Sequence, residues 1–221
     1  IMESTFQNSL LFNANLSGWG HSGVTTYKTM ISTCPAFNNN SLNTWDVSGA
    51  TTMYEFAKGC TAFNGSVSGW EFTTSCTLYA AFQNNSAFTG IGMDTWVTTA
   101  VTSINRMCSQ AVLFNGDTSG WSTANITDVD YAFNNNDAYN QDMSAWTVTQ
   151  MTVMANFMSG ADGMSTANYD ALLIAWDAQG AMAFSGTVNF GSSKYTGGGA
   201  AAAAHASLVT KWGGITDGGT A

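Results

Sequence analysis

Two aspartates at equivalent positions are the residues whose spacing is best suited to chemistry. Asp117 and Asp142 lie in consecutive units of a repeated sequence, and each stands four places before a tryptophan. Paired carboxylates can act as the acid and base of a glycoside hydrolase, and stacked carboxylate oxygens can share a calcium ion. We favour a polar turn position over a calcium site, and a calcium site over catalysis. The equivalent positions in other repeats hold neutral residues, namely Asn15, Ser66 and Gly92.

The cysteines are the second set of residues that could do chemistry. None of the four belongs to a CxxC or CxH pair, which argues against a zinc site. Cys34 and Cys60 each precede a phenylalanine by three places, so they hold the same position in neighbouring repeats. Stacked strands lie about 4.8 Å apart, a separation that a disulfide accepts. Two interpretations stay open, a Cys34–Cys60 disulfide or two stacked buried thiols.

The two histidines complete no catalytic set. His21 lies in a predicted loop and His205 near the C-terminus, and neither has a serine or cysteine nucleophile motif beside it. A polysaccharide lyase or hydrolase would need more arginine, lysine and carboxylate than this chain carries. The sequence therefore predicts a protein that is not an enzyme and that has no cofactor. A calcium ion at Asp117 and Asp142 is the less favoured alternative.

The elements that must position these residues are repeats. Six tryptophans recur at a nearly constant spacing of about 25 residues, and a fixed period of this length is typical of a solenoid, in which each unit buries its apolar face against its neighbours. An aromatic residue stands seven or eight places before each of them. Strictly repeated tryptophan and phenylalanine are then core residues rather than a sugar-binding platform. The repeated tryptophans are Trp19, Trp45, Trp70, Trp96, Trp121 and Trp146.

Each repeat predicts a short strand, a helical turn and a polar loop. Segments such as Val101 to Ile104 place threonine and serine between apolar residues, as strands do. In stretches such as Asp130 to Phe133 the apolar spacing changes to three and four, which indicates a turn of helix. We therefore predict a leucine-rich-repeat-like solenoid of about six coils over residues 1–161, beginning in mid-repeat.

The period stops after residue 158, and a different unit follows. Ser165 is a suitable N-cap, and apolar residues at helical spacing predict an amphipathic helix over 166–178. A strand near Thr187 to Phe190, a second helix near Ala200 to Val209 and a strand around Ile215 complete the prediction. Residues 162–221 would form a small α/β cap that covers the open end of the solenoid.

Positions that vary between repeats are the candidates for function, because they face solvent. The residue nine places after each tryptophan varies most usefully, and Tyr54 and Tyr79 hold this position in adjacent repeats. Two exposed aromatic faces on neighbouring rungs predict a ligand-binding pair. The remaining members of this position are Lys28, Asn105, Asp130 and Ala155.

Composition limits the partners. Only 9% of the residues are charged and the net charge is −9, with five basic residues. Because so few basic residues cannot neutralise a phosphate backbone, we predict that the chain does not bind nucleic acid. No apolar run is long enough to span a membrane, which predicts no direct membrane insertion of this segment. A surface built from asparagine, serine, threonine and glycine is common in secreted and virion-surface proteins.

The unit WDVSGATTMYEFAKGCTAFN, from Trp45 to Asn64, resembles the BspA-like leucine-rich-repeat surface proteins, whose repeat has the same length. The resemblance covers residues 1–158. The segments Ser165 to Trp176 and Trp212 to Gly219 are similar to the tail that closes many such proteins. The resemblance implies an extracellular protein, on a cell or a virion, that is used for attachment.

Two functions from different classes follow as expectations. The first is a rigid repeat scaffold for adhesion, whose partner is a cell-surface glycan or protein. The second is a structural subunit of a virion fibre or extracellular filament, which assembles with other copies of itself. The state of assembly distinguishes them, since the first stays monomeric in dilute solution and the second does not.

Overall fold

The computed structural model describes residues 1–19 and 23–221. Within these residues regular secondary structure is sparse, and both α-helices lie in the last quarter of the chain. Most of residues 1–161 consists of turns and extended loops, and 3₁₀ turns at Leu42–Thr44 and Met93–Thr95 precede two of the tryptophans. The regular elements are β1 (Cys76–Thr77), β2 (Val101–Ser103), α1 (Thr166–Asp177), β3 (Gly186–Asn189), α2 (Gly199–Trp212) and β4 (Gly213–Thr216).

Parallel pairing connects each repeat to the next at the same short stretch, and one further parallel bridge joins Glu71 to Val97. Strands β1 and β2 form a two-stranded parallel sheet, and β3 and β4 form another. Single parallel bridges continue the first sheet in both directions, so that one residue in each of six successive repeats takes part. These residues are Thr26, Thr52, Thr77, Ser103, Asp128 and Val153.

The predicted leucine-rich-repeat-like solenoid, with a strand and a helical turn in each coil, is wrong. The helices and strands predicted within residues 162–221 are present, as α1, β3, α2 and β4. The described part of the chain has two α-helices and two short two-stranded sheets, and the predicted helical turns are not helical. Tyr131, in the middle of one predicted helical turn, has a φ of 55°, which is left-handed backbone. Apolar residues three and four apart also suit consecutive tight turns, so their spacing could not distinguish the two structures.

Backbone hydrogen bonds explain why turns replace helix. The N–H groups of Thr29 and Ile31 donate to carbonyl oxygens one repeat further on, at Tyr54 (2.8 Å) and Phe56 (3.0 Å). Between them, the N–H of Met30 closes a turn on the carbonyl of Tyr27 (3.2 Å). An α-helix would direct all of these groups along its own axis. Here alternate N–H groups are used to join neighbouring repeats.

Aromatic columns form the core between the repeats. Trp70, Trp96, Trp121 and Trp146 are buried, and successive rings stack with centroids 5.3 to 6.5 Å apart. Each indole N–H donates to a carbonyl oxygen of the preceding repeat, as Trp70 Nε1 does to Leu42 (2.9 Å). The assignment of the tryptophans from Trp45 to Trp146 to the core is confirmed. Trp19, in the first repeat, is 37% exposed.

A column of asparagines also links the repeats. The side-chain oxygen of Asn38 accepts the backbone N–H of Asn64 (2.9 Å), and that of Asn64 accepts the N–H of Thr89 (2.9 Å). These side chains satisfy backbone N–H groups of the loops. They do so at the surface rather than in the core, since Asn38 is exposed and Asn64 half-buried.

The C-terminal segment, residues 162–221, continues the tryptophan column with helix. Helix α1 begins where the sequence predicts, and the Ser165 hydroxyl accepts the N–H of Asn168 as an N-cap (3.3 Å). Trp176 of α1 donates its indole N–H to the carbonyl of Met143 (2.9 Å), one more step of the same column. Helix α2 packs against α1, and Lys211 near its end pairs with Asp177 (2.8 Å).

Candidate binding face

Tyr54 and Tyr79 form a stacked pair on the side of the repeats just after the parallel bridges. Their ring centroids are 4.8 Å apart and their planes differ by 7°. Met53 and Leu78, which precede them, are buried, so the chain turns each tyrosine outward. Both tyrosines are half-buried, not fully exposed as the sequence predicts, because each ring covers part of the other.

An ion pair of Lys28 and Glu3 extends the tyrosine column beyond Tyr54, toward the N-terminus. The Lys28 ammonium nitrogen lies 5.8 Å from the centre of the Tyr54 ring, within the range of a cation–π contact. The same nitrogen is 3.2 Å from a carboxylate oxygen of Glu3, and both side chains are about half exposed. We call Lys28, Tyr54, Tyr79 and Asn105 the tyrosine strip. It presents a cation and two aromatic rings in a row, and Asn105, whose amide oxygen is buried, ends it.

A second cation and ring, which the prediction from sequence does not include, lie beside the strip. The Arg106 guanidinium carbon lies 4.1 Å from the centre of the Tyr131 ring. Asn105 Nδ2 donates to both carboxylate oxygens of Asp128 (3.0 Å each). Arg106 and Tyr131 hold equivalent positions in consecutive repeats, one place after the variable column. That shared position was the signal available in the sequence.

The aspartate pair is accounted for by local turns. Asp117 Oδ1 accepts the N–H of Ser119 (2.8 Å), and Asp142 Oδ1 accepts the N–H of Ser144 (2.8 Å). Each carboxylate thereby closes an Asx turn with the second residue after it. Across residues 1–19 and 23–221, no three histidine, cysteine, aspartate or glutamate side chains are grouped to hold a metal ion.

All four cysteines are buried free thiols, so the structure contains no Cys34–Cys60 disulfide. The thiol of Cys34 donates to the carbonyl of Phe6 (3.0 Å), and that of Cys60 donates to the carbonyl of Ile31 (2.9 Å). Burial raises the pKa of Cys60 to about 12. The Cys60 thiolate is therefore scarce at neutral pH, and the residue is a poor nucleophile.

One polar cluster lies in the C-terminal segment. The His205 ring stacks on Tyr195 with centroids 4.3 Å apart, and His205 Nε2 is 3.1 Å from Asp217 Oδ2 without hydrogen-bond alignment. The Tyr169 hydroxyl donates to Asp217 Oδ2 (2.8 Å). Burial and the Asp217 charge raise the pKa of Tyr169. The cluster ties α1 and α2 to the loop after β4. His21, the other histidine, lies outside the described residues.

The family follows from the repeats. A family model described as "Mycoplasma protein of unknown function, DUF285" matches the chain twice, over residues 1–90 and 76–193. The chain belongs to this family. Two overlapping matches are what a repeated sequence produces when one model can align in more than one register. No curated protein and no solved structure gives a significant match.

The helices of the described ranges, 1–19 and 23–221, are too short or too polar for any of them to cross a lipid bilayer.

Proposed function

We propose that this protein is a non-enzymatic surface or appendage protein that attaches to a cell-surface protein or glycan through the tyrosine strip. The observation that carries the proposal is the Tyr54–Tyr79 stack, held on a rigid hydrogen-bonded framework between Lys28 and Asn105. Its setting is extracellular, on a cell or a virion. We also propose that the chain is related to the BspA-like surface proteins, and its match to the family of unknown function supports this in part.

The chemistry of the strip suits recognition better than catalysis. Tyrosine is one of the side chains that contribute most often to binding hot spots, since it offers a large contact area at a low cost in entropy. Tyr54 and Tyr79 are already stacked, so little conformational freedom is lost when a partner covers them. The hydrogen bonds that Tyr54 and Tyr79 donate to the hydroxyls of Thr52 (3.1 Å) and Thr77 (3.3 Å) use their backbone N–H groups, so these bonds do not occupy the phenolic hydroxyls.

The experiment is the double substitution Tyr54→Ser and Tyr79→Ser. We expect binding to whole cells and to immobilised glycans or surface proteins to fall by at least tenfold, because the stacking surface is gone. Unfolding free energy should fall by only about 1 kcal/mol, the size of one aromatic pair contact. Flow cytometry with labelled protein measures the first quantity, and urea denaturation measures the second.

The matched control replaces exposed apolar residues away from the strip, Ile91→Ser with Leu113→Ser, which are 49% and 54% exposed. It should bind as the unsubstituted protein does. Equal binding by the strip variant and the control would place attachment elsewhere. A strip variant that unfolds would instead show that the two tyrosines are core residues.

A second candidate function, a fibre or filament subunit that assembles with its own copies, is favoured by the face that the first repeat presents. This face exposes large apolar side chains and leaves Met2, Phe6 and Phe12 only partly covered. Analytical ultracentrifugation over a hundredfold concentration range decides between the candidates, since a subunit forms oligomers and an adhesin does not. The exposed apolar residues are Ile1, Leu10, Leu11 and Trp19.

A further inference from the structure

The third repeat breaks the backbone pattern of its neighbours. In other repeats a tight turn closes between the residues two and five places after the tryptophan, as between Thr98 and Val101 (3.0 Å). Among the described residues the third repeat has no such turn, and the N–H of Cys76 donates instead to the carbonyl of Ala100 in the next repeat (3.1 Å). The same turn closes at Ala50 on Val47, at Ile126 on Thr123 and at Met151 on Val148.

The missing turn shifts the register by one residue. Cys76 is buried and pairs with Val101, whereas Thr77 pairs with Ser103, so Thr102 is an extra residue in a β-bulge. Ser75, whose equivalents in the other repeats are buried apolar residues, is exposed. The third repeat therefore turns a hydroxyl outward at a position that elsewhere belongs to the core.

The shift also interrupts a column of threonines that covers the surface before the bridges. Thr127 donates its hydroxyl to the carbonyl of Thr102 (3.4 Å), and Thr152 donates to that of Thr127 (3.2 Å). Thr51 does the same one repeat before the irregularity, with the carbonyl of Thr25 (2.9 Å). The third repeat has no threonine in this column between Thr51 and Thr102, because Cys76 holds that position in the sequence. The Thr102 hydroxyl still donates to the carbonyl of Cys76 (3.2 Å), so one hydroxyl is missing from the column.

A surface groove of about 320 Å³ lies at this irregularity. Its volume is at the lower end of small-molecule sites. Three side chains of the groove have hydrogen-bonding atoms without a partner among the described residues. These atoms are the hydroxyls of Ser75 and Thr99 and the Oδ1 of Asn125. The Nδ2 of Asn125 is already used, because it donates to the carbonyl of Thr99 (2.8 Å). The groove is lined by Ser75, Thr99, Ala100, Thr102 and Asn125.

From this arrangement we infer that the groove is a subsite for a neutral sugar unit. The lining offers two hydroxyls and an amide oxygen, which match vicinal hydroxyl groups, and the methyl of Ala100 and the threonine methyls offer apolar contact to a pyranose ring. No lining residue is charged, so neither a phosphate nor a carboxylate finds a counter-ion there. The inference rests on the proposed attachment role and names neutral glycans as one class of ligand.

The test is a titration of ¹⁵N-labelled protein with neutral monosaccharides and their oligosaccharides, namely galactose, mannose and N-acetylglucosamine, with glucuronic acid as the acidic comparison. We expect saturable shifts in the amide signals of Ser75, Thr99, Thr102 and Asn125 with at least one neutral sugar, and weaker or no shifts with glucuronic acid. The substitution Asn125→Ala should weaken that affinity by about tenfold, as the loss of one good hydrogen bond does.

The matched control is Gln150→Ala, which holds the equivalent exposed position one repeat later and does not line the groove. It should leave the affinity unchanged. A second variant, Ala100→Met, fills the groove without removing a hydrogen-bonding group and should also abolish the shifts. The inference would be overturned if no neutral sugar shifted the amide signals of the groove residues. It would also be overturned if Asn125→Ala and Gln150→Ala lost the same amount of sugar affinity. Cell attachment through the tyrosine strip is measured separately, so its failure is a different result.

Discussion

The repeat region (residues 1–161) and the C-terminal segment (residues 162–221) build one aromatic column by two different backbone solutions. In the repeat region, eleven described residues other than glycine adopt positive φ, among them Thr33 and Glu55. In the C-terminal segment, every described residue with positive φ is glycine. Hydrogen bonds between repeats thus hold ordinary residues in a costly conformation, whereas the segment of helices uses glycine where the chain must turn.

The two regions derive their stability from different hydrogen bonds. A repeat satisfies alternate N–H groups of its turns through its neighbours, so no repeat is a complete unit alone. Helices α1 and α2 satisfy their own backbone and contribute side chains to the column, as Trp176 does with Met143. Gln179, just after α1, donates to the carbonyl of Trp146 (2.6 Å) and accepts the N–H of Val148 (2.9 Å). The C-terminal segment therefore joins the repeats through side chains as well as through backbone, as in the bond from the Asn189 N–H to the carbonyl of Ala155 (2.8 Å).

The largest effect is expected from Trp70→Ala in the middle of the repeat region. Trp70 is 1% exposed and stacks on Trp96, so its removal leaves a cavity between two repeats. We expect a loss of roughly 3–5 kcal/mol in unfolding free energy, measured by urea denaturation. Trp19→Ala is the control and should cost less than half as much, because Trp19 is 37% exposed. A loss below about 1 kcal/mol at Trp70 would contradict a shared core.

An intermediate effect is expected when one indole N–H is removed from each of the two regions. Trp146→Phe and Trp176→Phe each remove an indole N–H that donates to a buried carbonyl, at 3.0 and 2.9 Å. Each should cost about 1–2 kcal/mol, and the two losses should agree within about 0.5 kcal/mol. Thermal denaturation of both variants measures this. If Trp176→Phe had no effect, the helical segment would not continue the column energetically.

The smallest effects test the left-handed positions, and their signs should be opposite. Thr33 and Gly59 are equivalent residues in adjacent repeats, with φ of 58° and 73°. Gly59→Ala should cost about 1 kcal/mol from backbone conformation alone, since an added Cβ meets nothing closer than 3.8 Å. Thr33→Gly should be neutral or stabilise by up to about 1 kcal/mol.

Gly180→Ala in the C-terminal segment is the matched comparison for these two variants. Gly180 has a φ of 88°, and an added Cβ has nothing within 4 Å, so the cost should equal that of Gly59→Ala. Differential scanning calorimetry of the three variants gives the ranking. A destabilising Thr33→Gly would mean that the threonine side chain contributes more than its strained backbone costs.

The sequence by itself determined the period, the identity of most buried columns and the position of the first helix. Tryptophan and phenylalanine at a fixed spacing have to share a core, because no single repeat can bury them alone. Ser165 and the apolar spacing after it predict α1 to within one position at its C-terminal end. The tyrosines of the strip could be predicted from sequence because they hold a position that varies between repeats. Their mutual stacking and their half-burial could not be predicted.

Only the tertiary structure decided the path of the backbone and the place of the groove. Apolar residues three and four apart suit a helical turn and a run of tight turns equally, and the choice between them depends on N–H groups that bond to a neighbouring repeat. The register shift at Cys76 likewise depends on how the third repeat pairs with the fourth. Such pairings are properties of two segments together, and so neither segment's residues specify them alone.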